Sequence, residues 1–166
     1  MEKREIYYEE ELKRYTVLYF LLGVVEHEFR ARIPTILSDY AYSRAIDNWW
    51  EVLPSSYQNR KSIERATKKN GNSLHGFEQH LPFSFWRYIF VGEKFPTIWK
   101  ESLYTIFPNL KNPLAKSSFD RICNRIYLAY QLRNKVAHYE LQTQIKFEKE
   151  KSRLLWLINM MAGPSA

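Results

Sequence analysis

An all-α fold is what this sequence predicts, and three observations predict it. Only 5 of the 166 residues are Gly and 7 are Pro, too few for a turn-dense sandwich or barrel. Apolar residues recur at spacings of three and four near both ends of the chain. The aromatic middle shows no clean alternation of apolar and polar residues, so short helices joined by turns suit it better than strands. With 45% hydrophobic and 26% charged residues, long disorder is excluded. The length suits a single domain over residues 1–166 with a real core.

The elements follow in order. Residues from about Ile6 to Ile33 form one long helix, with Leu12, Tyr15, Tyr19, Leu22, Glu26, Phe29 and Ile33 along one stripe. Pro34 ends that pattern or opens the next turn. Ser38-Asp39 offers a cap for a second helix to about Trp50. After the Pro54-Ser55-Ser56 loop, Arg60 to Lys69 is a third, strongly basic helix stopped by Asn70-Gly71-Asn72. Leu81 opens a short helix to about Val91. Gly92 stops it, Pro96 sits near the first turn of the next, and Phe107-Pro108-Asn109 closes that one. From a cap at Ser117 or Ser118, the stripe Phe119, Ile122, Cys123, Ile126, Tyr130, Arg133 marks another helix. The last runs from about Gln144 to Met161, with Phe147, Leu154, Leu155, Leu157, Ile158 and Met161 inward, and ends at Gly163-Pro164. The expected architecture is a bundle whose core includes the first helix, the helix from about 117 and the last helix.

Composition narrows the function. The formal charge is +7 and the pI near 9.4, a balance that suits a polyanionic partner. Aromatic residues make up 16% of the chain; some could stack on bases, but more belong to core or subunit interface. A single cysteine, Cys123, excludes an internal disulfide framework and fits a reducing, cytoplasmic compartment. On its apolar stripe it reads as an inert core thiol. The longest apolar run, Val17 to Val25, is far below the roughly 18 residues that span a bilayer, and the start, MEKREIYYEEE, is unlike a signal peptide. No membrane is expected. P-loop and nucleophile-elbow motifs are absent, and His27-Glu28 lacks the second histidine of a zinc helix. His75 and His80 would need carboxylates from elsewhere to hold a metal, so no metal and no cofactor is expected.

The segment Gln131 to Glu140 carries the chemistry. Arg133 sits on an otherwise apolar stripe, where a guanidinium needs an anionic partner or an unusual interface. Asn134 and His138 are four apart and share a helix face. Arg133 and His138 are five apart, about 140° around a helix, so one straight helix does not bring them together. A break near Val136–His138, or a second subunit, would. Arginine can hold a phosphate bidentately, histidine can move a proton near neutral pH, and asparagine can orient either group. Such a set suits attack of an RNA 2′-hydroxyl on its own adjacent phosphate, which needs no metal. It equally suits a helix-end cluster in which Arg pairs with an acid and Asn and His cap carbonyls.

Arg133-Asn134-x-x-x-His138 resembles the Arg-x(4–6)-His motif of HEPN ribonucleases. More narrowly, the chain resembles the Abi-like branch of that superfamily, bacterial abortive-infection proteins of AbiD/AbiF type. Glu26-His27-Glu28-Phe29-Arg30 resembles the signature of the first core helix. Leu81 to Phe90, followed by Ile98-Trp99 and Phe107-Pro108, resembles the central aromatic block. Leu132 to Glu140 resembles the Arg-Asn-x-x-Ala-His block, and the three stand in the family's order. Ser84 stands where Gly is frequent, and Tyr139 follows the histidine in place of the polar residue many relatives have. Glu140 replaces the tyrosine that a related toxin group uses as a nucleotidylation target.

The resemblance implies a HEPN-like helical bundle with short additional helices in the middle, acting as a metal-independent endoribonuclease toxin in antiphage defence. It implies that Arg133 and His138 are the catalytic pair, with Asn134 supporting them, duplicated across a two-fold homodimer. Glu26 and Arg30 would either position Arg133 or form a local surface pair. From charge alone, Arg60, Lys61, Arg65, Lys68 and Lys69 are the best second RNA contact, touching phosphates without reading sequence, or else a solvated face. Two other functions remain open: a non-catalytic RNA-binding module held by a structured noncoding RNA, which would act as antitoxin, and a protein-interaction bundle.

Overall fold

The computed structural model of this chain describes residues 2–138 and 144–163, with side chains from 7 to 138 and from 146 to 163. It is all-α. Six helices run in order: α1 (Glu2–Tyr42), α2 (Tyr57–Lys69), α3 (Phe83–Ile89), α4 (Lys100–Ile106), α5 (Lys116–Ala137) and α6 (Gln144–Met161). The described residues contain no strand. α1 is the central post, packing against α4, α5, α6 and a 3₁₀ turn at Trp49–Val52. α5 packs on α6 and α3, and α2 lies on α3 and a second 3₁₀ turn at Phe77–His80. None of the described helices is long and apolar enough to cross a membrane.

α1 departs from the sequence expectation at Pro34. The helix continues through it for eight more residues, to Tyr42. An interior proline forfeits a backbone hydrogen bond and costs about 3 kcal/mol. Beyond it, however, Leu37 and Ala41 are buried in register with Val25, Phe29 and Ile33. Burying Leu37 fully stabilises by about 1.5–3 kcal/mol, and Ala41 adds to that. The expected separate helix from Ser38 to Trp50 therefore does not form. Ser38 is inside α1, and its hydroxyl donates to the Pro34 carbonyl at 2.7 Å rather than capping. The helix closes when Ala45 takes a left-handed φ of 56° and the Ile46 amide reaches back to the Ala41 carbonyl at 3.0 Å.

The stripe itself splits. Leu22, Phe29 and Ile33 are buried, together with Leu18, Leu21 and Val25, but Leu12 is 66% exposed and Tyr19 73% exposed. Tyr15, between them on the predicted stripe, is partly buried against the core, so only part of the first half of that face is left open.

α2 begins three residues before the expected start, because the Ser56 hydroxyl accepts the Asn59 amide at 3.1 Å. It ends at Lys69, before Asn70-Gly71-Asn72, as the turn residues require. The middle is a chain of short elements: α3 stops at Ile89, and a single π-turn at Phe95–Trp99 leads into α4. Their rings make the core. Phe90 stacks on Trp99 at 4.2 Å and leans on Phe29 at 6.1 Å, and Phe95 meets Phe119 at 5.1 Å. Neither Ser117 nor Ser118 caps α5. The cap position is Ala115, and the buried Ser118 hydroxyl donates to the Lys111 carbonyl at 2.9 Å. In α6, Phe147, Leu154, Leu157 and Met161 are buried as expected and Ile158 packs partly against the core, but Leu155 is exposed. Of the expected stop, Gly163 is described and Pro164 lies outside the described residues.

Candidate functional site

The candidate site is the C-terminal end of α5. The buried stripe there runs Phe119, Ile122, Ile126, Ala129, Leu132, Val136. Arg133 is one residue off that line and exposed, which corrects its placement on the packing face. Following Tyr130 rather than Ala129 carried the predicted stripe outward by one position. Arg133 makes no hydrogen bond or ion pair to another described residue. Asn134 is half-buried beside it.

α5 ends at Ala137 and His138 is its cap residue. The His138 amide shares the Asn134 and Lys135 carbonyls at 3.1 and 3.2 Å, and its side chain is exposed, with no hydrogen bond to another described residue. The helix thus ends within Val136–His138, where the spacing left a break or a second subunit as the two ways to join Arg133 and His138. Among the described residues, no hydrogen bond or ion pair joins Arg133 to His138. Tyr139 and Glu140 lie outside the described residues.

Two small cavities flank Arg133. One, of about 160 Å³, is bounded by Tyr19, Leu22, Gly23 and Glu26 of α1 together with Arg133, Val136 and Ala137. The other, of about 220 Å³, is bounded by Pro82, Phe83 and Ser84 at the start of α3 with Tyr130, Arg133 and Asn134. Tyr19, Gly23, Ser84 and Tyr130 are site residues that sequence reasoning missed. Tyr19 and Tyr130 were visible on their helical stripes, but no sequence signal tells which helix faces which.

Glu26 and Arg30 form the local pair, at 2.7 Å. Glu26 also shares the first cavity with Arg133, without reaching ion-pair distance. Burial pushes the Glu26 carboxyl above its ordinary value, while Arg30 and Arg133 pull it back less strongly. The same Arg30 nitrogen donates to the Leu81 carbonyl at 3.0 Å. It thereby ties α1 to the chain two residues before α3, whose first turn borders Arg133 and Asn134. Among the described residues Arg30 bonds to Glu26 and the Leu81 carbonyl, and makes no bond to Arg133.

The predicted basic segment lies on α2. Arg60, Arg65, Lys68 and Lys69 are exposed and Lys61 half-buried. Arg60 donates to the Ser55 hydroxyl at 2.9 Å and Lys61 to the Tyr57 hydroxyl at 3.0 Å. Arg60 and Lys68 border a cavity of about 710 Å³ between α2 and the Trp49–Val52 turn, separate from both cavities beside Arg133. Cys123 is partly buried, with its Sγ 3.6 Å from the Phe90 carbonyl, and burial drives its thiol up to about 12. That agrees with an inert thiol. Among the described residues, no group of three or more His, Cys, Asp and Glu is placed to hold a metal ion.

Comparison with known proteins finds no matching family model, no matching curated protein and no matching solved structure.

Proposed function

We propose that this chain is a metal-independent endoribonuclease of HEPN type, working as a homodimer and acting as a toxin in bacterial abortive infection. The observation that carries the reading is the exposed guanidinium of Arg133, without a hydrogen-bond or ion-pair partner among the described residues, beside Asn134 and one helical turn from an exposed His138 at the cap of α5. An unpaired arginine next to a polar cavity is suited to a phosphate, which it binds bidentately. In the reaction the ribose 2′-oxygen attacks the adjacent phosphorus, the phosphorus–O2′ bond forms and the phosphorus–O5′ bond breaks. One histidine removes the 2′ proton and a second protonates the departing 5′-oxygen. Arg133 neutralises the charge that gathers on the phosphoryl oxygens. His138 from each of two chains supplies both roles.

The exposed first half of the α1 stripe supports the pairing. Tyr8, Leu12 and Tyr19 lie between 64% and 73% exposed on one side of α1, and Tyr19 also borders the Arg133 cavity. A second copy laid on that stripe would bring two Arg133 side chains towards one another.

The test is cleavage of a mixed RNA pool in EDTA. Product ends should carry 2′,3′-cyclic phosphate. His138→Ala and Arg133→Ala should each lower the rate by at least about a hundredfold, the range of a lost proton-transfer or charge-stabilising group, with unchanged circular dichroism. Parent-like cutting by His138→Ala would end the assignment. The second reading, RNA binding without cleavage, rests on the five basic residues of α2. It predicts salt-sensitive binding of RNA that is never cut.

A further inference from the structure

One face of the molecule is left unused by this reading. α3 and α5 lie side by side, and their outer faces present three tyrosines and an arginine. Tyr88 and Tyr130 approach at 6.4 Å between ring centres. The Arg87 guanidinium lies 4.4 Å from the centre of the Tyr88 ring and 5.3 Å from that of Tyr127. Tyr88 is 39% exposed and Tyr127 41% exposed, so both rings are open to solvent. Arg87 makes no hydrogen bond or ion pair among the described residues. Its planar group is held by the rings while its N–H donors stay available. Tyr130 continues the cluster, for it borders the same cavity as Arg133 and Asn134. From Tyr127 to Asn134 is two turns of α5, about 10 Å.

We infer that this cluster is a binding track for single-stranded RNA, which holds the nucleotides next to the phosphate gripped by Arg133. The inference rests on the proposed RNA partner but not on cleavage. Single strands are held by aromatic faces on which bases stack and by cations that follow the phosphates. Tyr88 and Tyr127 offer such faces, Arg87 offers the cation, and Tyr130 joins the track to the motif. No acidic residue borders the Arg133–Asn134 cavity at its end. Asp120, on the same helix, already pairs with Lys116. The surface therefore complements a polyanion. A duplex has its bases stacked within the helix and cannot use the rings, so the track selects single-stranded over double-stranded RNA.

The experiment measures binding of a short, end-labelled, single-stranded oligoribonucleotide to the full chain carrying His138→Ala, so that no substrate is consumed. Tyr127→Ala and Tyr88→Ala are each expected to weaken binding about tenfold, the effect of losing one stacked base. Tyr127→Phe and Tyr88→Phe, which keep the rings, are expected to bind like the parent. Arg87→Ala should weaken binding and flatten its salt dependence by about 0.7 in the log–log slope, one phosphate contact on a single strand. A duplex of the same sequence should bind more weakly and be indifferent to the tyrosine changes. The track is overturned if the alanine variants bind as the parent does, if the phenylalanine variants lose as much as the alanine ones, or if duplex binding falls in parallel. If the chain carrying intact His138 cuts no RNA while the binding pattern holds, the ribonuclease reading fails and the track stands. If it cuts while the pattern is absent, the reverse is concluded.

Discussion

Glu26 is the residue where burial and pairing pull against each other. Desolvation raises its carboxyl above the ordinary 4.5, and Arg30 and Arg133 do not fully offset it. The folded chain therefore binds that proton more tightly than the unfolded chain does. A raised carboxyl contributes stability that is fully present below the unfolded value and is lost as pH rises through the folded value. Replacing it by Gln removes the buried charge while keeping an acceptor for Arg30. Glu26→Gln should melt higher than the parent at pH 7, and the gap should close below pH 4.5. Thermal melts followed by circular dichroism at both pH values decide it, since a lower melting temperature at pH 7 would mean that the ion pair outweighs burial. Part of this scale was legible: the partly buried thiol of Cys123 and the end of the helix near His138 follow from residue type and spacing. That Arg133 stands off the packing stripe was not, because a shift of one residue along α5 depends on which neighbour the helix meets.

Helices are where local rules and tertiary burial can be weighed. Proline rules alone end α1 at Ile33, yet the helix passes Pro34 because Leu37 and Ala41 continue its buried face. Sequence patterns located the centres of α2, α3, α5 and α6, since periodicity and turn residues act locally. They missed the true caps at Ser56 and Ala115 and the end of α1, which depend on where the chain must turn to reach its next partner. At that turn Ala45 holds a φ of 56°, a left-handed geometry costing a residue with a Cβ about 1–2 kcal/mol. Glycine adopts it freely but gives up about 0.4–1 kcal/mol through a more flexible unfolded chain. Ala45→Gly should therefore stabilise the protein by about 0.5–1 kcal/mol, the difference of those two effects. Urea unfolding with an unchanged m-value would confirm the gain; a loss of stability would show that the turn is set by something other than its backbone strain.

At the scale of the molecule, the periodicity of α1 and its burial disagree in the first half of the helix, at Leu12 and Tyr19. The stripe Leu12, Tyr15, Tyr19, Leu22, Glu26 has helical spacing throughout, but before Leu22 only Tyr15 packs partly against the core while Leu12 and Tyr19 stay exposed. Tyr8, Leu12, Tyr19 and Phe20 are each at least 64% exposed, a concentration of large apolar side chains that a chain operating alone rarely leaves in water. The same surface ends at Gly23 and Glu26, against Arg133. In the proposed homodimer, pairing two copies there would bury the stripe and double the motif in one step, so assembly state and activity would change together. Tyr19→Arg places a charge in the middle of the stripe at a position already exposed, so the fold should persist while the two like charges oppose pairing. Light scattering should move from the mass of two chains to that of one, and RNA cleavage should fall with the fraction of paired chains. Mixing it with excess Tyr19→Glu, whose charge is opposite, should restore both. Full cleavage by monomeric Tyr19→Arg would place the whole reaction within one chain and leave the exposed stripe without a catalytic purpose.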